Sequence, residues 1–161
     1  MDVYEYAMQM EKDGEAYYRD AALKTEHKGT RTILTMLADA EVAHYYVLKQ
    51  LQENQDIPLE DSKTLAAVKN VFRQIAESKD FTLVKPTQVD LYKTALDIEQ
   101  KSIKLYEEQA NQAGEGRNRD VFLRVADEER KHYFIIEKLI DFVSQPDRWL
   151  ENPEWYHLED Y

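Results

Sequence analysis

Residues 122–143 read FLRVADEERKHYFIIEKLIDFV, and residues 34–51 read LTMLADAEVAHYYVLKQL. Both carry a residue of one face at every third or fourth position, the spacing of a buried helix stripe. The later stripe is Phe122, Val125, Glu129, His132, Ile136, Leu139 and Val143. The earlier one is Leu34, Leu37, Glu41, His44, Leu48 and Leu51. Each apolar stripe is interrupted at mid-length by a glutamate, with a histidine one turn later on the same face. A carboxylate at the centre of a core-facing stripe is costly unless something compensates its charge.

The two stretches are copies. Displaced by 88 residues, Glu11 falls on Glu99, Tyr18 on Tyr106, Ala22 on Ala110 and Arg31 on Arg119. Ala38-Asp39 then falls on Ala126-Asp127, Glu41 on Glu129, His44-Tyr45 on His132-Tyr133 and Leu51 on Leu139. Each unit of roughly fifty residues has a Glu upstream of its Glu-x-x-His and reads as an α-hairpin. The first hairpin predicts helices over Val3 to Lys24 and about Thr30 to Asn54, joined by a loop holding His27, Lys28 and Gly29. The second predicts helices over about Thr87 to Ala113 and Arg119 to Val143, joined by Gly114-Glu115-Gly116. Pro86 with Thr87 and Asp90 starts one helix, and Pro146 stops the last.

Residues 55–86 are too many for a tight turn. Leu65, Val68, Phe72 and Ile75 give them an amphipathic stretch over Leu65 to Ala76 that packs the crossover on the bundle or on another subunit. The expected fold is all-α: one four-helix domain over 1–161, hairpins at 3–54 and 87–143, a partly helical crossover, and an aromatic, acidic tail at 144–161. Composition agrees, because four Gly and four Pro in 161 residues leave room for few turns. Zero cysteines exclude disulfides, thiol nucleophiles, Cys-bound zinc and iron–sulfur centres. No long apolar run predicts a membrane span, and the acidic first residues do not read as a signal peptide, so a cytoplasmic location is expected. A net charge of −11 disfavours nucleic acid and anionic lipid and favours cations.

The stripes of the first and third bundle helices complete the pattern. They are Tyr4, Ala7, Glu11, Gly14, Tyr18, Ala21 and Tyr92, Ala95, Glu99, Ser102, Tyr106. Glu11 and Glu41 are equidistant from Glu26 in their loop, and Glu99 and Glu129 from Gly114 in theirs. All four therefore lie at one level, about 22 Å from the turns at about 1.5 Å per residue. No Lys or Arg shares these stripes. Two divalent metals would balance Glu11, Glu41, Glu99 and Glu129, with neutral His44 and His132 completing the ligands. A Glu from two helices and Glu-x-x-His from the other two is the rule for di-iron and di-manganese carboxylate bundles. A single Glu-x-x-His is weak. Two copies, each with the matching upstream Glu, arise by chance in fewer than about one sequence in a thousand. The competing reading is a charged bundle whose Glu and His are solvated.

Glu11 to Tyr18, Leu37 to His44, Glu99 to Tyr106 and Ala126 to His132 resemble the ferritin-like superfamily, specifically the rubrerythrin-type di-iron proteins, across about residues 3–143. The resemblance implies a non-haem centre of two iron ions per chain, with manganese as the other candidate. Glu11, Glu41, Glu99 and Glu129 would be carboxylate ligands, two of them bridging, and His44 and His132 the nitrogen ligands. It further implies reduction of hydrogen peroxide or dioxygen in oxidative-stress protection, and a homodimer. Rubrerythrins usually add a Cys-ligated rubredoxin iron. With no cysteine here, electrons would come from a separate rubredoxin-like or flavoprotein donor. Rubrerythrins also place a further glutamate where this chain has Ser102, with Gly14 as its repeat mate, which puts their carboxylate-for-histidine exchange in doubt. The two small residues either leave a pocket for the oxidant or let helices approach closely. Rival functions are an iron-handling ferroxidase, a di-manganese catalase-like enzyme and a metal-free structural bundle.

Other residues take supporting places. Tyr18 and Tyr106 lie two turns from the glutamates on the same face, and each hydroxyl is expected to hold a ligand carboxylate of a facing helix; plain aromatic packing is the alternative. Asp39 and Asp127 point away from the stripes, toward surface or inter-helix contacts. Glu15 and Glu128 are expected to be solvated. His27 and His157 are not expected to bind metal. Trp149, Trp155, Tyr156 and Tyr161 are expected to pack over a bundle end or a partner.

Overall fold

The computed structural model describes residues 1–57 and 62–151. Among them lie six α-helices and no strand: α1 (Val3–Leu23), α2 (Lys28–Gln52), α3 (Thr64–Ser78), α4 (Val89–Ala113), α5 (Arg117–Ser144) and α6 (Pro146–Glu151). A 3-10 turn over Pro86–Gln88 leads into α4. The four long helices form the all-α bundle that the stripes predict, with α1–α2 and α4–α5 as its hairpins, an arrangement consistent with the ferritin-like fold that the resemblance implies.

Local chemistry sets the helix ends. Asp2 accepts from the Glu5 N–H at 2.8 Å, and Glu5 reaches back to the Asp2 N–H at 3.4 Å, a reciprocal cap worth about 1 kcal/mol. α2 begins two residues before the expected Thr30. Its cap is His27, whose Nδ1 accepts from the Thr30 N–H at 3.2 Å. The α4–α5 turn carries Gly114 at φ 70° and Gly116 at φ 133°, conformations in which a Cβ is strained. Pro146 ends α5, and its fixed φ also opens the short α6.

The stripes face inward as expected. Every residue of the α2 and α5 stripes is buried, as are all those of α1 and α4 except the half-buried Tyr4. Two apolar layers result. One joins Leu34, Leu37, Tyr92, Ile136, Leu139 and Phe142 to the crossover helix through Val68, Phe72 and Ile75. The other joins Ala7, Leu48, Tyr106, Phe122 and Val125 toward the opposite end. At about 1.5–3 kcal/mol per large apolar side chain, these layers are what can support a polar stratum between them. The crossover thus packs on its own bundle.

Trp149 is fully buried, its ring 4.8 Å from Phe142 and 5.9 Å from Phe72. It closes the bundle end beside α3, one of the two expected places for the tail. Trp155, Tyr156, His157 and Tyr161 lie outside the described residues. No described helix is long and apolar enough to cross a membrane.

Candidate metal centre

Between the apolar layers the structure brings together all six predicted polar side chains. Glu11, Glu41, Glu99 and Glu129 are at most 3% exposed, His132 is 1% and His44 is 7%. The His44 and His132 rings stack with centroids 5.3 Å apart. Two four-residue sets form: Glu11, Glu41, His44, Glu129 and Glu41, Glu99, Glu129, His132. Within each set one ligand atom per residue lies within 4.8 Å of the others. Glu41 and Glu129 belong to both sets. They sit on the two central Glu-x-x-His helices, so each faces the opposite hairpin as well as its own histidine.

The histidines present Nδ1 to this cluster. His44 Nδ1 lies 2.8 Å from Glu129 Oε1 and 3.6 Å from Glu11 Oε2. His132 Nδ1 lies 3.1 Å from Glu41 Oε1, 3.4 Å from Glu129 Oε2 and 3.6 Å from Glu99 Oε1. Each imidazole thus bridges the two hairpins.

The tyrosines act reciprocally. Tyr18 of α1 donates to Glu99 Oε1 of α4 at 2.5 Å, and Tyr106 of α4 donates to Glu11 Oε1 of α1. Burial raises both hydroxyls well above their ordinary value, and the nearby glutamate charges push the same way. Both remain O–H donors. Plain aromatic packing, the alternative reading, does not describe these contacts.

Charge in the cluster is divided unequally. Burial pushes Glu11 up, but the adjacent Glu41 carboxyl, the nearby His44 with its charge and the Tyr106 hydroxyl outweigh that and hold it at about 2. Glu99 is lowered in the same way, against its burial, by Glu129, His132 and Tyr18. Burial raises Glu41 and Glu129 well above the carboxylate range, and neighbouring carboxylates raise them further. Burial opposes charge on the histidines, but Glu11 raises His44, and Glu129, Glu41 and Glu99 raise His132 strongly. Glu129 is nearer to His44, but it tends to hold a proton, so Glu11 supplies the charge that matters.

Divalent metals fit this donor set better than protons do. Glu11 Oε2, Glu99 Oε2 and Glu129 Oε2 are buried without a hydrogen-bond partner, a cost of about 1–3 kcal/mol for each such group. Tyrosine occupies one oxygen of Glu11 and of Glu99, and the other oxygen is left bare. Carboxylate and imidazole donors suit iron or manganese.

Sequence reasoning missed three features: the burial of Glu128, the cap made by His27 and a cavity on the α1–α2 flank. Glu128 is 5% exposed rather than solvated, accepting from the Ser62 N–H at 3.2 Å with Lys131 3.7 Å away. The segment leading into α3 covers it, a tertiary event with no periodic signal. Of the two readings open for Gly14, the structure shows close approach, by a side chain: a Cβ there would lie 3.3 Å from Glu41 Oε2, so the carboxylate rests against α1. His27 is a buried cap. A cavity reaches Glu11 and Glu41 from outside. Glu15 is partly exposed and pairs with Arg19 at 2.7 Å. As expected, Asp39 pairs with Arg19 at 3.0 Å and Asp127 with Lys131 at 3.5 Å, both away from the centre.

Residues 90–154 match the family model for rubrerythrin. The match is consistent with a ferritin-like, rubrerythrin-type protein, and that family points to a di-iron carboxylate centre. It covers α4, α5 and α6, and so Glu99, Glu129 and His132. The first hairpin lies outside it and is tied to the second by the internal repeat. No curated protein and no solved structure matches the chain significantly.

Proposed function

We propose that the chain is a non-haem di-iron oxidoreductase that reduces hydrogen peroxide or dioxygen. The observation that carries this reading is the pair of buried four-residue sets sharing Glu41 and Glu129. Glu11 and His44 would complete one iron site, Glu99 and His132 the other, and Glu41 and Glu129 would bridge. Two bound ferrous ions supply Lewis acidity and the electron pair for H2O2 + 2 e− + 2 H+ giving two waters.

The chain's own residues do the rest. Tyr18 and Tyr106 keep their protons and fix one oxygen of Glu99 and of Glu11, so that the second oxygen of each is presented to metal. The apolar layers on either side keep bulk water from the carboxylates, which strengthens their hold on a cation. A rubredoxin-like or flavoprotein donor would return the electrons.

Glu41→Ala and Glu129→Ala, alone and together, test the reading in a peroxide-consumption assay on iron-loaded protein. Loss of turnover with helical content retained is expected. Full consumption by the double variant would refute it.

A further inference from the structure

The hairpin repeat makes the two flanks of the centre comparable, and they differ. On the α1–α2 flank a cavity of about 260 Å³ is lined by Glu11, Lys12, Glu15, Glu41, Val42 and Tyr45, with Tyr46 at its edge. Its floor is two of the buried metal-facing carboxylates. The repeat-related cavity on the α4–α5 flank, about 360 Å³, is lined by Gln100, Ile103, Glu107, Arg130, Tyr133, Phe134 and Glu137. Neither Glu99 nor Glu129 lines it. Buried Ile103 stands where the first flank has the partly exposed Glu15, and Arg130, ion-paired with Glu107, stands where it has the smaller Val42.

The ligand atoms on the walls differ in the same way. The first cavity presents the carboxyls of Glu11, Glu15 and Glu41, with Glu15 paired to Arg19 at 2.7 Å and Lys12 drawn aside over the Tyr45 ring, 5.0 Å from its centroid. The second presents Glu107, paired with Arg130, and Glu137, neither of them facing the centre. A row of carboxyl oxygens leading inward offers a divalent cation successive ligands, exchanged for protons as it binds. A third cavity, about 490 Å³ between α2, α3 and α5, touches the centre only at His44. Of the six metal-facing residues it offers one imidazole, and much of its wall is apolar, including Met36, Ala40, Val47 and Val125.

We infer that divalent cations reach the buried centre through the α1–α2 flank, passing from Glu15 at the mouth to Glu11 and Glu41 at the floor. This rests on the metal-binding reading above and adds a direction to it. Gly14 contributes by letting Glu41 lie against α1 near that floor. The α4–α5 flank is closed to metal.

The test is the rate of Co²⁺ uptake by the full-length metal-free chain, followed by the visible absorption of the bound ion, with final stoichiometry by elemental analysis. Val42→Trp narrows the cavity while keeping all six metal-facing side chains and is expected to slow uptake by about tenfold or more at unchanged stoichiometry. Glu15→Gln leaves the shape alone and should slow uptake by about threefold, with the difference shrinking in high salt. Tyr133→Trp, in the repeat-related cavity, should load at the wild-type rate. Equal rates for wild type, Val42→Trp and Glu15→Gln would overturn the route while leaving the metal site standing. So would slow loading by Tyr133→Trp, or by Ala67→Trp in the third cavity, with Val42→Trp unaffected. A wild-type chain that takes up no Co²⁺ would refute the metal reading and the route together.

Discussion

Tyr18→Phe removes one oxygen and leaves the ring. In the folded chain that oxygen is 2.5 Å from Glu99 Oε1, and Tyr18 is 1% exposed. No water can replace the lost donor. Glu99 is held below the usual carboxylate range partly by this bond, so the acceptor is anionic. Hydrogen bonds to charged groups are worth about 1.5–3 kcal/mol, and phenylalanine preserves the packing against Tyr17 and the apolar layer. A loss of about 2 kcal/mol is therefore expected in metal-free protein. For a chain of this size that is a fall in Tm of about 4–8 °C. Urea unfolding should show a lower midpoint with an unchanged slope. Metal affinity should fall by about 10–100-fold, because Glu99 loses the contact that fixes its free oxygen. A stability loss below about 0.5 kcal/mol with unchanged metal affinity would reduce Tyr18 to a packing residue and refute the reasoning.

Three further outcomes follow from the geometry. His27 caps α2 through Nδ1 while Nε2 lies 3.2 Å from the Asp80 carbonyl, so it is needed neutral, and burial lowers its pKa from 6.5. The unfolded chain binds that proton first, so the cap's contribution, about 1 kcal/mol, is complete above about pH 6.5 and lost as pH falls through the lower folded value. His27→Asn, which keeps a cap, should flatten the stability difference between pH 7.5 and pH 5 relative to wild type in urea titrations; an unchanged pH profile would contradict this. Gly29→Ala places a Cβ 2.6 Å from Ile75 Cγ1, where α2 meets the crossover, and should cost about 1–2 kcal/mol by thermal melt despite alanine's better helix propensity. Loaded protein with free metal at about a thousand times Kd should gain about 4 kcal/mol over the chelated form, a rise in Tm of about 8–16 °C, whereas a metal-free structural bundle would melt identically in both.

The bundle and the six-residue centre were legible because each depends on helix periodicity. Glu11, Glu41, Glu99 and Glu129 interrupt apolar stripes at one register, and two helical hairpins have few ways to bury such stripes except against each other. The reciprocal tyrosines were legible for the same reason, since Tyr18 and Tyr106 lie on the same stripes. What the sequence hid depended on contacts between elements distant in the chain. Glu128 is off the stripe of α5 and is buried only because the approach to α3 crosses it. Histidine is not among the usual cap residues, so the start of α2 at Lys28 was masked. Gly14 and Ser102 left two readings open, and Gly14 was decided by a side chain from another helix, Glu41. The unequal flanks, finally, come from substitutions such as Glu15 against Ile103 that a repeat comparison sees only as mismatches.

The central claim is that the polar stratum exists to hold two metal ions. Elemental analysis of the full-length chain, expressed with iron and manganese both available and again after anaerobic reconstitution with ferrous ions, tests it most directly. The account predicts about two ions per chain, iron in the di-iron reading, and none in the Glu41→Ala, Glu129→Ala double variant. Two manganese ions would keep the site and redirect its chemistry toward a catalase-like reaction. A wild-type chain that remains free of metal after reconstitution would contradict the account.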